Sequence, residues 1–149
     1  MRSIDTNPDW YKKYLNIPFK HLGQSPDTGV DCYTLCKHVI KQETGIELPY
    51  TSYDICNIVD EDWYTKLSTE IILNTAQQDP RCIKVQYPKP LDIIFLSIGS
   101  TNVTNHCALY IGRDMILQTM INRPSWVSPY GKYYKQYTTG IYRWNLLNY

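Results

Sequence analysis

The stretch Gly29-Val30-Asp31-Cys32-Tyr33-Thr34-Leu35-Cys36 decides the fold. Gly29 turns the chain, and Asp31 is a residue type that caps helices by accepting their first unpaired amides. Leu35 and Cys36 are followed by Val39 and Ile40 at helical spacing, while Lys37, Lys41 and Gln42 fall on the other side. The pattern predicts a helix that starts at Asp31, runs to about Thr44 and stops at Gly45. Cys32 then lies in the first turn, over the open end of the buried face. The amides of a helix N-terminus carry roughly half a positive charge, which favours thiolate over thiol. A thiol there is a candidate nucleophile.

Such a nucleophile needs a base within reach, and the base needs an orienting acceptor. The chain has three histidines. His21 lies in a glycine-containing loop, and His38 points away from Cys32 by helical angle. His106 opens the segment His106-Cys107-Ala108-Leu109-Tyr110-Ile111-Gly112, which has the composition of a strand. His106 is therefore the candidate base. Met115 to Met120 completes a hairpin around Gly112-Arg113-Asp114.

Elsewhere the organisation is helices first and sheet second, which predicts an α+β fold. Asn7 and Pro8 read as cap and first residue of a helix through Trp10, Tyr14 and Leu15. Phe19 to Val30 reads as a loop, and Tyr53 to Val59 as a short helix. Asp60-Glu61-Asp62 reads as the start of a helix through Trp63, Leu67 and Ile72 that frays over residues 74–80. Cys82 to Tyr87 alternates like a short strand. Leu91 to Leu96 reads as a buried strand whose Asp92 satisfies backbone amides, and Ser100 to Asn105 as a polar loop. Pro124 to Tyr137 looks irregular or partly helical, and Thr139 to Asn145 forms a last strand. With 149 residues and no repeat, residues 1–149 are expected to form a single domain.

Composition narrows the function. Lys and Arg number 15 against 14 Asp and Glu, with no basic stripe, so nucleic acid is not an expected partner. The first eight residues hold no apolar stretch, so no signal peptide is expected, and no segment is apolar enough to span a membrane. Five cysteines without a CxxC pair fit a reducing compartment. Cys36, Cys56 and Cys82 read as inert core residues. A zinc site from Cys32, Cys36, His106 and Cys107 is not expected, because Cys107 alternates to the strand face opposite His106. No cofactor is expected either. Fourteen tyrosines and four tryptophans suit a cleft or a subunit contact, and Trp126, Tyr130, Tyr133 and Tyr134 fit either use.

The blocks Thr28 to Cys32, Gly45-Ile46-Glu47-Leu48-Pro49, Pro90 to Phe95 and His106 to Gly112 together resemble the NlpC/P60 family of papain-like cysteine peptidases. The resemblance covers about residues 15 to 120 and keeps the order and spacing of the blocks. It implies a nucleophile helix packed on a C-terminal antiparallel sheet. It also implies hydrolysis of peptide bonds in bacterial peptidoglycan, often the γ-D-glutamyl–diaminopimelate link of the stem peptide. Cys32 takes the place of the nucleophile and His106 that of the general base and acid. The family's third polar residue falls on Gln118, twelve positions after His106, where histidine is commoner. Gln118 can accept the imidazole N–H through its amide oxygen. Hairpin parity sets a condition: a two-residue turn at Arg113-Asp114 would point Gln118 away from His106.

Three departures touch the substrate side. Phe19 replaces a tyrosine whose hydroxyl usually lies near the oxyanion, Tyr33 replaces a serine, and Thr34 replaces a glycine. In relatives that serine and the aspartate matching Asp31 help hold a free substrate amine, so Asp31, Tyr33 and Phe19 are the candidate substrate-binding residues. Asp31 is also, more simply, an N-cap. A tyrosine-rich chain without a signal looks most like tail-associated peptidases of bacteriophages. That places the expected protein at a phage tail tip in the virion, made in the host cytoplasm, beside other tail-tip proteins. The alternative is a structural tail component that keeps the fold with weak or no activity.

Overall fold

The computed structural model describes residues 3–55, 71–99 and 103–145. The helix that opens at Cys32, α2, spans Cys32–Thr44 with both ends where the sequence puts them. Asp31 is its N-cap and accepts from the Thr34 amide at 2.8 Å. Gly45 closes it in the left-handed conformation (φ 77°), which glycine adopts without a Cβ penalty. Leu35, Cys36, Val39 and Ile40 are fully buried.

Upstream of it, α1 covers Ser3–Thr6 and a 3₁₀ turn covers Trp10–Tyr14 in place of the α-helix read from Asn7. Asn7 does accept from the Asp9 amide at 2.9 Å, but the segment is too short to settle into α geometry. Trp10 and Tyr14 are buried, and the Tyr14 hydroxyl donates to Glu43 of α2. The expected loop over Phe19 to Val30 holds a small antiparallel pair, β1 (Gln24–Ser25) and β2 (Gly29–Val30). After α2 come α3 (Ser52–Ile55) and α4 (Ile71–Gln78). The fraying expected over 74–80 does not begin before Gln78. Cys56 and the helix start at Asp60 to Leu67 lie outside the described residues.

The sheet is antiparallel with six strands in the order β3-β8-β4-β5-β6-β7. They are β3 (Cys82–Lys84), β4 (Ile93–Leu96), β5 (His106–Gly112), β6 (Met115–Met120), β7 (Arg123–Pro129) and β8 (Thr138–Trp144), with α5 (Lys132–Gln136) before the last. β3 is shorter than the alternation over Cys82 to Tyr87 implied. The segment expected to be irregular from Pro124 is largely β7, an edge strand, the position where prolines at 124 and 129 leave no ladder bond missing. α2 packs on β5 and β6. One face of the sheet joins Ile93, Phe95, Cys107, Leu109 and Leu117 to α2 in the main core, and a smaller cluster of Ile94, Leu96, Ala108, Ile116, Tyr130 and Ile141 covers the other.

Candidate functional site

The site forms where the start of α2 meets the start of β5. Cys32 is 8% exposed and His106 5%, so both are nearly enclosed by protein. Asn105 fixes the chain just before His106: its side chain accepts from the Ile98 amide at 2.7 Å and donates to the Ile98 carbonyl at 2.8 Å. The Cys32 thiol is held well below its ordinary range, first by the Cys107 thiol that donates to it and then by His106 hydrogen bonding and charge, against the opposing cost of burial. Cys107 carries the counterpart and is pushed up by its contacts with Cys32 and Cys36 and by burial. Consecutive strand residues point to opposite faces, yet Cys32 meets both His106 and Cys107 because it sits at the junction of helix end and strand start.

Gln118 completes the array. His106 Nε2 lies 2.9 Å from Gln118 Oε1, and Gln118 Nε2 donates to Ser128 Oγ at 2.9 Å. Ser128 thereby supplies an acceptor for the amide N–H while the amide oxygen faces the imidazole. With Nε2–H donating to Oε1, the lone pair of the neutral ring lies on Nδ1, free for the thiol proton. The turn does have two residues, Arg113 (φ 51°) and Asp114 (φ 59°). The parity condition would then point Gln118 away, but a bulge between Tyr110 and Gly112 corrects the count by one. Extending the Leu109–Leu117 pairing by one residue puts Ala108, on the His106 face, opposite Gln118.

Asp31 acts as cap and as a buried charge. Its Oδ1 accepts from Thr34 N and from Ser52 Oγ, both hydrogen bonds being at most 2.8 Å. Burial, then the charge of Cys32, push its carboxyl up to about 6, against the lowering effect of those hydrogen bonds. Ser52 also meets the Thr34 hydroxyl at 2.7 Å. Tyr33 is buried, and its hydroxyl has no hydrogen-bond partner among the described residues. It lines a cavity of about 30 Å³ with Asp31, Cys32, His21 and Cys107, so the ring closes this side of the thiol and does not project into solvent.

The open side is a groove of about 220 Å³ lined by Phe19, Cys32, Ile98, Asn105, His106 and Met120, together with Gly99, Thr119 and Ile121. Phe19 is held there by backbone bonds on either side of it, from Lys20 N to Val30 O and from Val30 N to Pro18 O. Among the described residues no group of three or more His, Cys, Asp or Glu is placed to hold a metal ion. Burial pushes the Cys82 thiol up to about 12, as suits an inert core residue. Trp126, Tyr130, Tyr133 and Tyr134 do not line the groove. Sequence reasoning missed Ser52, Ser128 and the wall position of His21; no local pattern marks them, because each joins the site from a separate segment.

A low-titrating thiol beside an imidazole whose second nitrogen is fixed is equipped for nucleophilic attack on a carbonyl, with proton transfer through the ring. Comparisons with known proteins give the family and the fold. The chain is 24% identical over 137 residues to a gamma-DL-glutamyl hydrolase of Bacillus subtilis (strain 168), covering 91% of this chain and 28% of that protein. It thus spans little more than a quarter of that relative's length. An NlpC/P60 family protein from Bacillus cereus superposes with a TM-score of 0.63 at 20% identity, over 95% of this chain and 40% of the other. The NlpC/p60 domain of peptidoglycan hydrolase SagA does so with a TM-score of 0.55 at 19% identity, over 95% and 96%. The model of the NlpC/P60 family matches residues 16–143, and the chain belongs to that family.

Proposed function

We propose that the protein is a cysteine peptidase that hydrolyses stem-peptide bonds of bacterial peptidoglycan, of the γ-D-glutamyl–diaminopimelate type. The observation that carries this is the array Cys32–His106–Gln118–Ser128 at the edge of an open groove. The names of the Bacillus subtilis relative and of SagA support the substrate class. Cys32 Sγ attacks the carbonyl carbon while His106 takes the thiol proton. The Cys32 N–H, in the first turn where helix amides lack intrahelical partners, is available to the oxyanion. His106 returns the proton to the leaving amine, and water then cleaves the thioester with His106 as base. Incubated with purified peptidoglycan, the protein should release stem-peptide fragments and Cys32→Ala should release none; fragments from the mutant would remove Cys32 from the role.

We place this activity at a phage tail tip. The support is the tyrosine-rich sequence, a composition suited to protein contacts, of which Tyr87 is 76% and Tyr133 51% exposed. Mass spectrometry of purified virions should find the chain in tail fractions, and its absence there would remove the setting. A silent structural role is the second reading, favoured by the Tyr33 ring that leaves about 30 Å³ beside the thiol. Alkylation separates the two: an active site reacts with iodoacetamide at pH 6 faster than a free thiol, and a silent one does not.

A further inference from the structure

Three thiols gather at the site, and hydrolysis uses one of them. Cys107, on β5, lines with Cys32 the cavity of about 30 Å³, its thiol is pushed up by its interactions with Cys32 and Cys36, and all three thiols are free and buried. Cys32 alone of the three lines the open groove. Cys107 is 3% exposed and Cys36 0%, so of the three thiols Cys32 is the one that a solute in the groove meets. Cys36 lies one helical turn beyond Cys32, and side chains so spaced on one helix run parallel, which opposes closing a disulfide between them. Cys107 comes from the opposing layer and shares with Cys32 the wall of one small cavity.

We propose that Cys32 is a peroxide-modifiable thiol and that Cys107 resolves it into a reversible Cys32–Cys107 disulfide. The inference rests on Cys32 being the reactive thiolate of the proposed peptidase, and not on which bond that enzyme cuts. The Cys32 thiolate attacks one oxygen of hydrogen peroxide; the O–O bond breaks, leaving Cys32 sulfenic acid and hydroxide, which takes up a proton to become water. Cys107 sulfur then attacks Cys32 sulfur. The S–O bond breaks, the S–S bond forms, and the departing hydroxide leaves with the Cys107 proton as a second water. Two electrons pass from the two thiols to the peroxide, and a dithiol reductant returns both thiols. The disulfide blocks hydrolysis while it lasts and diverts Cys32 from sulfinic acid, which dithiols do not reduce.

The test treats the reduced full chain with stepwise hydrogen peroxide, quenches with iodoacetamide and maps peptides by tandem mass spectrometry. The expected product in the wild type is a Cys32–Cys107 cross-linked peptide, with iodoacetamide labelling of Cys32 restored by dithiothreitol. In Cys107→Ala, Cys32 should progress to sulfinic acid and the restored labelling should be lost. Cys36→Ala should keep the cross-link. Cys107→Ser preserves the side-chain volume and should behave as Cys107→Ala, which covers a folding defect in the smaller variant. A Cys32–Cys36 disulfide, or equal sulfinic acid in wild type and both Cys107 variants, would overturn the assignment. The readout is mass and labelling, so a protein that cleaves no peptidoglycan still passes or fails it on its own.

Discussion

Gln118 gives the array its orientation without a charge. It accepts from His106 and donates to Ser128, so the ring tautomer is set, but a neutral amide adds little to an imidazolium formed opposite it. A net hydrogen bond is worth about 1 kcal/mol and a tenfold rate about 1.4 kcal/mol. Gln118→Ala should therefore lower kcat about fivefold with KM nearly unchanged, and Ser128→Ala should have a smaller effect in the same direction. Because Gln118 acts through His106, the midpoint of the alkylation-rate profile of Cys32 against pH should rise in Gln118→Ala, and an unmoved midpoint would reduce Gln118 to packing. Asp31 has the opposite character, a charge that the fold tolerates. Its carboxyl is raised from 3.8 to about 6, so the folded state holds the proton more tightly than the unfolded chain, and stability falls as pH rises from about 4 through 6. At about 1.4 kcal/mol for each pH unit, the cost at neutral pH is roughly 3 kcal/mol. Asp31→Asn keeps a capping oxygen and removes the charge. It should match the wild type in urea unfolding near pH 4 and exceed it by about 1–3 kcal/mol at pH 7; a difference that does not grow with pH would contradict this. The cap at Asp31 and the place of Cys32 at the helix start were legible because both are local. Ser52, Ser128 and the Cys32–Cys107 contact were not, since each depends on how distant segments pack.

At the scale of elements, the β5–β6 hairpin determines whether the site assembles. Its two-residue turn matches the strand twist, with left-handed residues at Arg113 and Asp114, and the bulge before Gly112 restores the register that brings Gln118 to His106. Gly112 sits at φ +96°, and a Cβ there would meet only Pro90 Cγ at 3.5 Å, so the cost of a side chain lies in the backbone and not in a clash. Gly112→Ala should cost about 1–2 kcal/mol in urea unfolding. It should also cost activity beyond what the unfolded fraction explains, because a relaxed bulge re-aims Gln118; full stability with full activity would show that the bulge does not depend on glycine. Hairpin parity was readable in the sequence, but the bulge was not, since Tyr110-Ile111-Gly112 looks the same whether Ile111 pairs or is looped out. α2 was readable at both ends because cap, period and terminal glycine agree. β7 was hidden by Pro124 and Pro129, which argue against a strand until its place at the sheet edge is known.

The whole molecule is closed by its last strand. β8 lies between β3 and β4, far from its sequence neighbours β6 and β7, and no local pattern encodes that order. What holds the insertion is partly chemical. Asp92, 0% exposed where the chain enters β4, accepts Arg143 of β8 through both oxygens at 2.9 and 2.8 Å and also takes the Lys89 amide at 2.7 Å. The sequence marked Asp92 as an acceptor of backbone amides; its ion pair to a residue 51 positions later was invisible until β8 was placed. Tyr142 and Trp144, both at most 3% exposed, seal the same strand on the main core. The Asp92 carboxylate is thus buried against the Arg143 guanidinium, and removing that group takes from a buried charge its two-pronged ion pair. Arg143→Met should destabilise the fold by about 3–5 kcal/mol, whereas an exposed pair would cost under about 1 kcal/mol. The double variant Asp92→Asn/Arg143→Met should recover part of that loss, because a neutral amide in place of the carboxylate no longer needs the guanidinium. Urea unfolding of both single variants and the double at pH 7 completes the cycle. A single-variant cost near that of an exposed pair, or no recovery in the double, would mean that the seat of β8 is held by apolar packing alone.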